Sequence, residues 1–421
     1  MSIPRGLRAP TLIVCMALAA SLRAEVPVLE LAEAERLALE HDVSAAGLEA
    51  RARALREAAV AAGQLPDPRV KLGLMNLPTD SFSRSQEAMT QLQVGVQQAF
   101  PPGRTLALRE ARTRVLSEAS AARAADQRLR VQRDLRLAWL DVWYQVAAGR
   151  IVDESRELFR QLLEVTRAHY AAGRRNQQDV LRASVELGLL DDRRTRIRTA
   201  EETARAALAR LIGPQAARDL PAMLPVFSPP PPLAELRARL DEHPLLIAAG
   251  RRVEAGELDT DIARQKYKPG WMVDVTYGDR VGNNPNGSDR ADFLSAMVSL
   301  DVPLFTGKRQ DRVLAARREA LAAERLSRED LLRDLTRRLE AVWAEWQRLD
   351  ERVQLYDRKV VPEAIQNAEA SLTAYQNDVT DFTGLMRARL TELDSRLMAL
   401  KLRVDRARAA VRLLYLKGER S

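Results

Sequence analysis

The sequence predicts a mainly α-helical chain with a small β part, in which long paired helices are interrupted by four short strands. Three observations carry this prediction. Ala, Leu, Arg and Glu dominate while aromatics make up only 5% of 421 residues, a composition suited to long helices. Apolar residues recur in heptads over long stretches. Landmarks in the first half return in the second at an offset of about 202 to 205 residues, the mark of internal duplication.

The chain opens with Arg5 and Arg8, then the apolar run 11–20, too short to span a bilayer. Ala17, Ala19 and Ala24 offer small residues for cleavage, so 1–24 reads as a secretory signal. Cys15, the only cysteine, falls inside it, and Val14 before it departs from a lipoprotein signal. We therefore expect cleavage without a lipid anchor and a mature chain without disulfides. Cleavage after Ala24 would remove three arginines and take the net charge from +8 to +5. Those positive charges alternate with acids along helices, as in "RLSREDLLRDLTRRLEAVWAEWQRLDERV", which describes solvated or inter-helix faces and argues against nucleic acid.

The duplication is read from six landmarks. Trp139 answers to Trp343 and Gly103 to Gly307; Tyr170 answers to Tyr375 and Gly213 to Gly418. "VLRASVEL" at 180–187 answers to "LMRARLTE" at 385–392, and "LEHDV" at 39–43 to "DEHPL" at 241–245. We expect a first repeat at 25–213, a Pro-rich linker at 214–233 containing four consecutive prolines, and a second repeat at 234–418. Each repeat should run helix, two strands, long helix, helix. The helices are expected at about 31–63, 104–169 and 177–212, then at about 234–266, 308–374 and 382–417. Leu335, Leu339, Val342, Trp346, Leu349, Val353 and Tyr356 step by four and three, as do Val131, Leu135, Ala138 and Val142. That spacing makes a coiled-coil seam. A helix of such length extends about 100 Å, more than a globule needs.

The strands are expected at 69–74, 91–99, 271–277 and 294–300. Val70, Leu72 and Leu74 share a face, as do Leu92, Val94 and Val96. Val273, Val275 and Tyr277 do the same, and so do Leu294, Ala296, Val298 and Leu300. The opposite faces carry Arg69, Lys71, glutamines, Asp274, Thr276, Ser295 and Ser299. On a long helical rod little core is available to cover such apolar faces. Lipid outside and a wet lumen inside would suit them. After the signal no apolar run reaches 18 residues, so any membrane crossing must be as a barrel. Barrels need about eight strands or more, so several copies would have to share one.

In this order, these features resemble the TolC-like family of outer-membrane efflux proteins. The carriers are the tandem halves, the strand followed by "PLFTGKR" into a long helix, the Tyr-x-x-Gly turn at Tyr170 and Gly173, "DVLRASVEL" at 179–187, and the Leu-Ile-Gly ending at Gly213. The resemblance implies a homotrimer with a 12-stranded barrel and an α-helical, coiled-coil tunnel through the periplasm. It implies a periplasmic adaptor and an inner-membrane RND-type pump as partners, and outer-membrane lipid around the barrel. The turns after Tyr170 and Tyr375 would form the inner tip. There Asp179 matches an acidic position of the family, whereas the corresponding positions of the second half fall on Gly384 and Arg387. Asp378 and Asp381 lie nearer the turn and are candidate lumen charges; the competing readings are a solvated turn for Asp378 and a helix N-cap for Asp381. Arg174 and Arg175 are adaptor-contact candidates or plain exposed residues. "PDPRVKLGLMNLPTDSFS" resembles the branch paired with heavy-metal exporters, yet His41, His169 and His243 are scattered and no ligand cluster is visible.

No P-loop, dinucleotide fingerprint, HExxH or nucleophile elbow occurs, so neither catalysis nor a cofactor is expected. The alternative is an exported coiled-coil scaffold or adaptor without a pore, which explains heptads and signal but not paired strands at equivalent points of both halves.

Overall fold

The computed structural model describes residues 28–173, 176–377 and 379–418. The chain begins with α1 (Leu31–Glu40) and α2 (Val43–Ala62), then β1 (Arg69–Met75) and β2 (Gln91–Phe100). The long α3 (Thr105–Ala171) follows, and α4 (Gln177–Ile212) returns beside it. After an extended segment come α5 (Leu233–Ala238), α6 (Pro244–Gln265), β3 (Gly270–Asp279) and β4 (Phe293–Asp301). Then α7 (Gln310–Leu355) leads through one π-helical turn (Tyr356–Val360) into α8 (Val361–Gln376), and α9 (Phe382–Lys417) closes the chain. At about 1.5 Å per residue α3 alone extends about 100 Å.

The expected continuous helices break in three places, each with a local cause. The helix expected at 31–63 restarts at Asp42, whose carboxylate accepts the Ser44 and Ala45 N–H groups at 3.0 Å. The helix expected at 234–266 restarts at His243, whose Nδ1 accepts the Leu245 N–H at 3.2 Å, with Pro244 at the first helical position. The long helix of the second half carries the π turn just before Pro362, which has no N–H to donate and would crowd a regular α turn.

The core lies between helices. Leu135, Trp139, Leu140 and Val142 of α3 are buried against Ala34 and Ala38 of α1, Leu208 of α4, and Leu400, Val404 and Val411 of α9. Trp139 donates its indole N–H to the Leu29 carbonyl at 3.3 Å, and Trp143 donates to Pro221 at 2.9 Å. The segment after α4 is thereby strapped across the shaft. The heptad stripe of α7 is a real seam: Leu335, Leu339, Leu349 and Val353 are buried, with Val342 and Trp346 packed beside them.

The four strands form one antiparallel sheet in the order β1-β2-β3-β4. β2 and β3, from opposite halves of the chain, are neighbours over nine residue pairs, from Leu92 opposite Asp279 to Phe100 opposite Trp271. Both edges, β1 and β4, are unpaired among the described residues.

Candidate channel wall and tip

Strand alternation sorts the sheet into two chemically distinct faces. Val96 lies between Val70 and Val275, and Val275 faces Ala296; Val94 lies between Leu72 and Tyr277, and Tyr277 faces Leu294. These partners share one face, which no other described part of the chain covers: Leu72 is 77% exposed, Leu294 76% and Val298 63%. Aromatic rings mark its two ends. Phe100 and Trp271 stack at 4.0 Å at the helix end, and the Tyr277 hydroxyl donates to Asp292 at the loop end.

The opposite face is polar and internally tied. Lys71 reaches over β2 to pair with Asp274, which also accepts the Thr276 hydroxyl at 2.9 Å. Asp274 is 5% exposed, so its charge is compensated where it is buried. Two glycines make room for this layer. A Cβ at Gly95 would stand 2.6 Å from the Thr276 Oγ1, and one at Gly278 would stand 2.0 Å from the Gln91 Oε1. At the loop end Arg290 donates to the carbonyls of Ser85, Glu87 and Val281, which fastens the 76–90 loop to the 280–292 loop. Arg84 pairs with Asp279, and Arg280 lies over the Phe293 ring at 4.1 Å.

At the far end of the helices, Asp179 lies half-buried in the first turn of α4, where its charge suits the helix N-terminus. Asp381 is the N-cap of α9: its Oδ1 accepts the Gly384 N–H at 2.8 Å. The two are on different elements and no contact joins them. Asp378, Arg174 and Arg175 lie outside the described residues. Sequence reasoning missed the side chains that tie one helical hairpin to the other here. Arg182 of α4 donates to the Thr383 hydroxyl of α9, Arg193 pairs with Asp394 at 2.8 Å, and Arg396 pairs with Glu154 at 2.6 Å. Each pairing joins residues more than 200 apart, and no sequence pattern announces it. Tyr375 and Phe382, on either side of the turn, meet edge to face at 5.8 Å.

Of the histidines, His41 is exposed on the shaft, with Nδ1 2.7 Å from the Leu37 carbonyl. His243 is fully buried where α3, α6 and α9 meet. Its Nδ1 is the cap acceptor, so the Nε2–H is the donor toward the Tyr415 carbonyl at 3.2 Å. Burial depresses its basicity below the ordinary 6.5. Burial, and then the carboxylate of Asp126 2.9 Å away, raise the Tyr415 phenol. Asp126 is held in turn by Arg130 at 2.7 Å. Among the described residues no group of three or more His, Cys, Asp or Glu could hold a metal ion, and no helix is long and apolar enough to cross a membrane.

No family model and no curated protein matches the sequence. Solved structures do match the fold. The outer membrane protein VceC from Vibrio cholerae aligns with a TM-score of 0.77 at 17% identity, over 92% of this chain and 96% of that one. The outer-membrane channel OprN gives 0.75 at 20% identity, over 92% and 89%. The open state of the MtrE outer membrane channel of Neisseria gonorrhoeae gives 0.76 at 17%, over 92% and 88%. With its long helices and four-stranded antiparallel sheet, the chain has the TolC-like outer-membrane-factor fold.

Proposed function

We propose that the chain is one protomer of a homotrimeric outer-membrane duct that passively conducts solutes out of a Gram-negative cell. The carrying observation is the sheet: among the described residues one face is apolar and uncovered, the other polar, and both edges are unpaired. Exposed edges and an uncovered apolar face are liabilities in water. Three copies joined edge to edge would give 12 strands, a closed barrel with the Val and Leu rows in lipid. The shaft would cross the periplasm. A periplasmic adaptor and an inner-membrane RND-type pump would deliver metal ions or drugs, with most specificity in the pump. Residues 1–24 would be removed on export, and the two repeats would meet at the Pro-rich linker.

The turns near Asp179, Asp378 and Asp381 would form the periplasmic aperture, with Arg174 and Arg175 facing the adaptor. Opening would break the ties from Arg182 to Thr383 and from Arg193 to Asp394. Cross-linking protomers near position 378 should block export and leave assembly intact; normal export by fully cross-linked trimers would refute the aperture there. The function itself is tested by fractionation. A barrel protein stays in the membrane through salt and carbonate washes and leaves it in detergent as a trimer, whereas a scaffold washes off.

A further inference from the structure

Where β3 and β4 pass into helices, a cavity of about 420 Å³ is lined by Lys266, Lys268, Gly270, Asp301, Arg309 and Gln310. Gly270 and Asp301 are register partners. By alternation they lie on the same face as Asp274 and Thr276, so the cavity opens on the polar side of the sheet. Lys266 and Lys268 stand in the turn that ends α6. The Lys268 N–H bonds the Gln265 carbonyl at 2.9 Å, and its side chain lies across Gly103, where a Cβ would come within 2.7 Å of Cδ. The lysine is thus held by a close approach that the neighbouring turn leaves open.

The charges here are unbalanced. Elsewhere arginines meet carboxylates: Arg84 with Asp279 at the loop end, and Arg112 with Asp259 and Arg251 with Glu118 on the shaft. Among the described residues, no ion pair engages Lys266, Lys268 or Arg309, although Asp301 lines the same cavity; Arg309 Nε donates only to the Phe305 carbonyl at 3.3 Å. Three cations face one acid.

We infer that this foot of the barrel is a throat that attracts anionic solutes, those carrying carboxylate, phosphate or sulfonate groups. The inference rests on the trimeric duct proposed above. There, three cations and one carboxylate from each copy would encircle a single lumen. Low-dielectric walls focus such a field, and a cluster this compact is only partly screened at a Debye length of about 8 Å. Arg309 adds a planar fork suited to two oxygens of one anion. The throat thereby sets the charge class that the duct passes most readily, separately from any acidic aperture at the tip.

The test is the reversal potential of purified trimers in planar bilayers under a potassium chloride gradient. The wild type should favour chloride. The K266Q/K268Q/R309Q protein should lose preference for chloride over potassium by roughly tenfold, the lower end of what charged clefts produce. K266R/K268R, which keeps the charge, should behave as wild type. A conducting triple variant with an unchanged ratio overturns the throat and leaves the duct standing. A chain that forms no conducting trimer overturns both.

Discussion

The sheet and the shaft use the same apolar residues in opposite ways. In the shaft, Val131, Leu135, Val142 and Leu208 are buried by neighbouring helices of the same chain. In the sheet, Val70, Leu72, Val94 and Leu294 form an equally regular pattern, yet nothing among the described residues covers them. The shaft is therefore a folded core in the ordinary sense, stabilised by removing apolar area from water. The sheet is half of an interface whose other half must come from outside the protomer. An amphipathic period alone says that a face seeks an apolar neighbour, not who that neighbour is.

The largest test of this contrast is in the shaft. Trp139 is fully buried and bonds the Leu29 carbonyl, so W139A should cost about 3–5 kcal/mol. Urea unfolding followed by circular dichroism reads it, and a loss under 1 kcal/mol would mean that the α3 core is not where stability resides.

The next test sets two positions of one strand against each other. Val298 is on the uncovered apolar face and Ser295 on the polar one. V298R should weaken membrane residence by about 2–4 kcal/mol, the price of an arginine near a bilayer midplane. S295R should leave the carbonate-resistant fraction unchanged. Equal behaviour of the two would abolish the distinction between lipid and lumen sides.

A smaller effect is expected where the shaft is closed at its middle. His243 is held neutral by burial, so its basicity in the folded chain lies below the ordinary 6.5. The unfolded chain then binds more protons, and stability rises with pH across the interval below 6.5. It is complete above that value and falls with acid because the unfolded imidazole takes up a proton that the buried ring resists. The charges facing it are Asp126 of α3, which favours protonation, and Arg130 of the same helix, which opposes it. H243N can still cap α6 but cannot titrate. Its melting temperature should therefore fall less than that of the wild type between pH 7 and pH 5, and parallel curves would rule out His243 as the source.

The smallest effect belongs to the tip. D381A removes the cap on α9 and should cost about 1 kcal/mol, read as faster amide exchange over the first turn from Phe382. D381N keeps an acceptor and removes the charge. If export or ion selectivity follows D381N and exchange does not, Asp381 acts as a lumen charge; if only D381A has an effect, it is a cap.

Much of the molecule was legible from local pattern. The strand alternation around Gln93 and Gly95, and the heptad from Leu335 to Val353, depend on side-chain spacing alone, and both appear as read. The helix breaks at Asp42 and Pro244 carried local signals, an acidic cap and a proline, that the longer apolar periods concealed. Other features had no local signal. Arg182 meets Thr383, and Asp126 meets Tyr415 over a separation of 289 residues, only because α3, α4 and α9 are laid side by side.

The long helices of the two halves make the same point. Each follows a pair of strands and each carries apolar heptads. Yet α3 is buried along most of its length, against α1, α2, α4, α6 and α9, whereas α7 buries little beyond Leu335, Leu339, Leu349 and Val353. Sequence by itself determined which residues lie on one side of each helix and strand, because backbone geometry sets those periods. Only the tertiary structure decided which of those sides meet one another and which stay bare, because burial is a property of neighbours that chain folding brings from far away.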